Sequence, residues 1–306
     1  MLLSPVSFRK FFLVSSAVLA LTASFASSLC AADNVMPALN TSPSQLHLPG
    51  KFEWADLFTE NPEGEAKFYT QLFGWTSETM TQKGHTYIVI SNGGETIAGI
   101  VRSSVKHTDN SVPRWIGFAA TDDIPKAIAA LNQAGGKTLA KPRDVKNRGT
   151  LAIAQDAQGA VFGLIQSSSG DVPDYQAMPG ELAWATLFSG QPKESADFYS
   201  KTFHYESTND PAHADGSHII LANGDIARAA VSASPPWEGG KSDWLLFFCV
   251  ADATATANKA TQLGGTVLVA PHDSKHGGQV AVIADPLGGV FGVLEVETAT
   301  TLKATP

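Results

Sequence analysis

The chain has 306 residues, 43% of them hydrophobic and 16% charged, so wholesale disorder is excluded and about two domains are expected. Its formal charge is -8, from 21 Lys and Arg against 29 Asp and Glu, with no basic run, which argues against a nucleic-acid partner. Two cysteines cannot build a disulfide framework.

The N-terminus reads as an address. Arg9 and Lys10 precede the apolar run FFLVSSAVLALTASFA, and small residues then lead into a polar stretch. This is the layout of a secretory signal over residues 1–32. Ser15, Ser16, Thr22 and Ser24 interrupt the run, which is weak for a permanent membrane span. Cleavage after Ala32 is expected, with Cys30 and Ala32 as the small residues at -3 and -1, and with release to the periplasm or the outside. No membrane association is expected after cleavage. Loss of Arg9 and Lys10 and of no acid takes the formal charge from -8 to -10, and loss of Cys30 leaves Cys249 alone.

A repeat sets the architecture. Phe52 to Trp75 reads FEWADLFTENPEGEAKFYTQLFGW, and Leu182 to Tyr205 reads LAWATLFSGQPKESADFYSKTFHY. Trp54 maps to Trp184 and Phe68-Tyr69 to Phe198-Tyr199 at a shift of 130. Trp115 maps to Trp244, Asp156 to Asp285 and Phe162-Gly163 to Phe291-Gly292 at 129. The units are placed at 50–167 and 179–297, joined by a polar linker at 168–178. Residues 33–49 form an N-terminal tail and 298–306 a C-terminal one. Each unit is expected to carry its own core.

Each unit again falls into two similar halves. Trp54 to Phe58 alternates as a strand. Residues 63–73 place Ala66, Phe68, Tyr69, Leu72 and Phe73 at helical spacing. HTYIVIS and ETIAGIVRS read as strands. RWIGFAAT then reads as a strand, IPKAIAALNQAG as a helix ending on glycine, and TLAIAQ and AVFGLIQ as strands. The fold class is α+β, with paired βαβββ modules in a curved, mostly antiparallel sheet and helices outside it.

With these motifs in view, the chain resembles the vicinal oxygen chelate superfamily. That family includes glyoxalase I, bleomycin-resistance proteins, fosfomycin-resistance enzymes and extradiol dioxygenases. The resemblance rests on the strand before FYxxLFGW, the D-x-x-G-x-x-F-G turn and strand, and the AxxxAxxxGG helix end, and it covers nearly all of 50–297. It implies two tandem domains of that fold. It implies a divalent cation held by His, Gln or Glu on the first strand of each half and by a Glu on the last strand. The positions that match here hold Trp54 and Trp184 on first strands and Gly163 and Gly292 on last strands. The second halves offer Trp115 and Trp244. Indole and glycine supply no ligand, so no cofactor is expected at the family site.

Of the eight histidines, His272 and His276 have an H-x3-H spacing in the loop PHDSKHGG and are the residual metal candidates, while His218 stands on a strand that reaches a cleft. That loop and PRDVKNRG share Asp144/Asp273 and Lys146/Lys275, read either as local turn ion pairs or as a cleft-edge clamp. The tryptophans define the ligand candidates. If all four face the concave side, each cleft carries two indoles, and the cleft candidates are Trp54, Asp56, Trp115, Trp184, Trp244 and Phe248. Tyr69 and Tyr199 read as packing residues and Cys249 as a buried thiol under a helix. The expected function is an exported module that binds a small apolar or aromatic molecule in aromatic clefts. The alternative is a metal-dependent lyase, isomerase or dioxygenase with ligands elsewhere, which would need a divalent cation. A third reading is a scaffold whose indoles fill the clefts as core.

Overall fold

In the computed structural model, residues 36–82, 85–102, 112–213, 215–234 and 242–296 are described. The signal-like segment and Cys30 lie outside them. The first unit carries β1 (Phe52–Thr59), α1 (Pro62–Phe73), β2 (Thr76–Gln82), β3 (His85–Asn92), β4 (Glu95–Arg102), β5 (Arg114–Ala120), α2 (Ile124–Gln133), β6 (Lys137–Val145), β7 (Gly149–Gln155) and β8 (Val161–Ser167). The second carries β9 (Leu182–Ser189), α3 (Pro192–Phe203), β10 (Glu206–Asn209), β11 (His218–Asn223), β12 (Ile226–Ala233), β13 (Asp243–Val250), α4 (Ala253–Gln262), β14 (Thr266–Asp273), β15 (Gln279–Ala284) and β16 (Val290–Glu295). Each unit is one eight-stranded sheet, ordered β2-β3-β4-β1-β5-β8-β7-β6 and β10-β11-β12-β9-β13-β16-β15-β14. Each sheet is mostly antiparallel. The pairs β1–β4, β5–β8, β9–β12 and β13–β16 are parallel.

The helices start and stop where their sequence directs. Asn61 accepts from Gly64 N and Pro62 sits in the first turn of α1, while Gly74 closes it at φ 77°. Asp123 and Asp252 cap α2 and α4. His204 takes the left-handed closing position of α3 that glycine fills in α1.

The helix-bearing faces of the two sheets meet. One continuous core runs from Ala55, Leu57 and Trp115 of the first sheet to Ala185, Leu187, Trp244 and Phe248 of the second. Helix α1 packs against α4, α2 packs against α3, and β1 runs against β9. The expectation of a separate core for each unit is thereby corrected, because each unit's first helix covers the other unit's second half. Phe68 of α1 packs on Phe291 of β16, and Phe198 of α3 packs on Phe162 of β8.

The repeated motifs build this junction. Trp115 Nε1–H donates to the Tyr69 hydroxyl at 2.9 Å, and that hydroxyl donates to Asp285 Oδ2 of the other unit at 2.9 Å. The mirror brace runs from Trp244 to Tyr199 at 2.8 Å and on to Asp156 at 3.1 Å. Asp285 Oδ1 accepts from Leu287 N and Gly289 N, and Asp156 Oδ1 from Gln158 N and Ala160 N. Trp75 donates to the Gly180 carbonyl, and Tyr205 donates to the Gly50 carbonyl.

Candidate functional site: two unequal clefts

The concave face of each sheet is where the family resemblance places the candidate clefts. On β1 and β9 it carries Trp54, Asp56 and Phe58, and Trp184, Thr186 and Phe188. Trp115, Trp244 and Phe248 are not cleft residues, which corrects the sequence expectation. They point into the shared core, where the two indoles donate to Tyr69 and Tyr199. The concave residues of β5 and β13 are instead Ile116 and Phe118, and Leu245 and Phe247, because Phe118 pairs with Trp54 and Phe247 with Trp184. Cys249 also faces away from the helices, and its thiol donates to the Ala177 carbonyl of the linker at 3.4 Å. Burial pushes this thiol's pKa up.

The first cleft is filled. Trp54 is 1% exposed, and its Nε1–H donates to Asp56 Oδ1 at 2.9 Å. Tyr87 donates to the same oxygen at 2.8 Å. Burial raises the Asp56 pKa against these two hydrogen bonds. Arg148, 0% exposed, lies over the Trp54 ring at 3.7 Å, and burial lowers its pKa. Met36 and Leu39 of the N-terminal tail complete the plug, together with Phe58, Phe118 and Ile153.

The second cleft is not filled in this way. Trp184, Phe188, Ile220, Phe247, Val280, Val282 and Leu294 are all partly exposed. By strand register, Thr186 replaces Asp56, Ala230 replaces Gly99, and His218 stands where Tyr87 does. Gly277 occupies the place that Arg148 has in the first unit at the repeat shift of 129. A groove of about 670 Å³ between the two units meets this cleft at Trp184, and Thr186, Phe188 and Phe247 do not line it. Arg228 of β12, Lys51, Glu53 and the linker residues Asp174 and Tyr175 border it. Asp174 bridges Arg228 at 2.6 Å and Lys51 at 3.1 Å. Burial, with Asp171 adding to it, pushes Glu53 up to about 8.

A polar cluster lies at the mouth of this cleft. Asp210 Oδ2 is 2.6 Å from His213 Nδ1 and 3.1 Å from His276 Nε2. His218 Nδ1 is 2.6 Å from Ser232 Oγ. Donor atoms of Asp210, His218 and His276 all lie within 4.8 Å of one another. Desolvation opposes ionisation of Asp210, but the Ala212 N–H and the two imidazoles outweigh it and hold its pKa near about 2. Burial, and His213 beside it, holds His218 below the usual imidazole range.

His276 thus joins a cluster, while His272 stays exposed against its own neighbour's carbonyl, Ala270 O, at 3.0 Å. The H-x3-H spacing brings only His276 to the cluster, and Asp210 carried no signal, since it meets the others only through tertiary structure. The shared loop pairs also part company. Asp144 accepts from Thr150, and Asp273 from Gln279. Lys275 donates to the Ala212 carbonyl at 2.8 Å beside the cluster, and the Lys146 carbonyl accepts from Met36 N. Among the described residues, neither Asp–Lys pair of these loops forms an ion pair.

The family's central cation does not fit the residues at its positions. Trp54 and Trp184 bring no donor lone pair. Gly163 and Gly292 are also sterically closed, since a β-carbon there would collide with the rings of Phe118 and Phe247. At Gly99 it would collide with Tyr87 and Asp56. At Gly163 and Gly292 no ligand side chain can be placed without moving an aromatic ring.

Comparison with known proteins agrees with this architecture. Residues 51–164 match the family model "Glyoxalase/Bleomycin resistance protein/Dioxygenase superfamily", and residues 184–294 match "Glyoxalase-like domain". The chain is 29% identical over 248 residues to "Putative glyoxylase CFP32" of Mycobacterium tuberculosis, covering 80% of this chain and 95% of that protein. It is 28% identical to "Anthracycline biosynthesis protein DnrV" of Streptomyces peucetius, covering 81% and 94%. Among solved structures it is similar to the Mn(II)-bound glyoxalase from Novosphingobium aromaticivorans, with TM-score 0.57, 12% identity and coverage of 82% and 83%. It is likewise similar to homoprotocatechuate 2,3-dioxygenase from Brevibacterium fuscum, with TM-score 0.57, 15% identity and coverage of 89% and 87%. At these identities the structural likeness concerns the fold.

Proposed function

Because the chain belongs, as a tandem of two such domains, to the glyoxalase/bleomycin resistance protein/dioxygenase superfamily, we propose that it binds a small apolar or aromatic molecule in its second cleft and does so without the family's central metal. The observation that carries this reading is the contrast between Trp54, 1% exposed beneath Arg148, and Trp184, partly exposed beside a groove of about 670 Å³. Partly exposed rings of Trp184, Phe188 and Phe247 offer flat apolar walls on the concave face, and the groove that meets them at Trp184 adds the polar side chains of Lys51, Asp174 and Arg228, a mix that suits a small molecule. Relatives named for anthracycline biosynthesis are in keeping with a flat ligand.

The proposal includes export, with residues 1–32 removed as a signal. N-terminal sequencing of the protein from its native host is expected to begin at Asp33; a cytoplasmic chain starting at Met1 would refute export. For the cleft, fluorescence titration with a panel of fused-ring aromatics and quinones is the measurement. Trp184→Ala is expected to weaken the best ligand by about 10- to 100-fold, roughly 1–3 kcal/mol, as loss of an aromatic anchor does. Unchanged affinity in Trp184→Ala would sink the assignment of this cleft.

A further inference from the structure

We propose that Asp210, His218 and His276 form a divalent transition-metal site at the mouth of the second cleft. The site is distinct from the family's central position and stands apart from the ligand reading above. Three separate segments supply it: the turn after β10, the first residue of β11, and the β14–β15 loop. These come from opposite ends of the strand order, so an ion there would tie the two halves of the sheet together across the cleft.

The donor set is chemically specific. Two imidazoles and one carboxylate suit zinc, manganese, iron(II), cobalt or nickel, and they leave coordination positions open for an outside oxygen or nitrogen. The donors are held by partners that orient them. Ser232 Oγ engages His218 Nδ1 at 2.6 Å and leaves Nε2 for an ion. His213 engages Asp210 Oδ2 at 2.6 Å, and Ala212 N holds the other oxygen at 2.9 Å. Ligands about 2.0–2.2 Å from a metal lie roughly 3–4 Å from one another. The present spread, within 4.8 Å, needs only a small closure. The His276 loop can supply it, because Gly277 and Gly278 follow at positive φ. The first unit has no such set, since Met80, Tyr87 and Asn147 stand at the matching places.

The test uses untagged full-length protein stripped with a chelator and titrated with Co2+ and Zn2+. One equivalent of Co2+ is expected to give d–d absorption bands, displaced by Zn2+. Asp210→Asn, His218→Ala and His276→Ala are each expected to weaken binding by about 100-fold or more. His272→Ala is expected to bind as the parent does. Near-UV circular dichroism identifies any variant that fails to fold, and His276, whose side chain is 56% exposed, can be replaced with least risk to the fold. No saturable binding by the parent, unchanged binding in folded His276→Ala, or equal loss in His272→Ala would each overturn the site. Aromatic quenching, measured as the difference between stripped parent and stripped Trp184→Ala, keeps the two readings separable, because that difference isolates one of the six tryptophans and involves none of the three ligands.

Discussion

The two clefts descend from one repeated pattern and have opposite fates. In the first, Asp56 anchors Trp54 and Tyr87, Arg148 lies over the indole, and the tail residues Met36 and Leu39 seal the surface. In the second, Thr186, His218 and Gly277 stand in the places of Asp56, Tyr87 and Arg148, and the indole remains accessible. A few substitutions at the rim, rather than any change of fold, separate a filled cleft from an open one. The helix-side face of each sheet shows no such divergence. There the repeat is kept nearly intact, because Trp115, Tyr69 and Asp285 on one side and Trp244, Tyr199 and Asp156 on the other brace the two units together.

The comparison breaks most severely if the units are cut apart. Residues 48–170 and 176–300, expressed separately, would each expose the core face that holds Phe68 or Phe198 against the partner unit. Neither is expected to unfold cooperatively alone in a denaturant titration, and a mixture is expected to recover a single transition. Cooperative folding of either half alone would contradict the shared core.

The next effect is the difference between the two equivalent tryptophans. Trp54→Ala is expected to cost about 3–5 kcal/mol of stability by leaving a buried cavity, whereas Trp184→Ala, partly exposed, is expected to cost about 1 kcal/mol or less. Urea midpoints at constant slope measure both. Equal losses would mean that the second cleft is also core.

A pH dependence, read as a slope rather than as a loss at one pH, sharpens the contrast between the two braces. Glu65, beside Asp285, has its pKa pushed up to about 9 by burial and by the neighbouring carboxylate, and Ser195 takes its place in the mirror brace. A raised carboxylate pKa means that the folded state holds its proton more tightly than the unfolded chain. The associated stability is therefore full below about 4.5 and is lost as pH rises toward 9, by at most about 1.4 kcal/mol per pH unit. Glu65→Gln is expected to flatten this slope between pH 5 and 9, read as thermal midpoint against pH. An unchanged slope would show that the carboxyl does not titrate in that window.

The duplication, the βαβββ halves, the helices and the family were legible in the sequence. Local chemistry writes them: apolar residues at helical spacing, glycine turns, and a shift of 129–130 held along the chain, whereas the caps at Asn61 and Asp123 came from the structure. The first-strand cleft residues followed from simple alternation. Alternation failed on β5 and β13, because Trp115 and Trp244 share a sequence position with the first-strand indoles but not a face. The pairing of Trp54 with Phe118, and of Trp184 with Phe247, sets which side chains share the cleft. Tertiary structure alone decided three further points. It placed the helices between two sheets and so merged their cores. It filled one cleft with Arg148 and a tail that sequence could assign to no site. It gathered Asp210, His218 and His276, up to 66 residues apart, at one mouth. A sequence records spacing along the chain, whereas burial and ligation depend on which strands curl toward one another, and that is settled only when the sheet is complete.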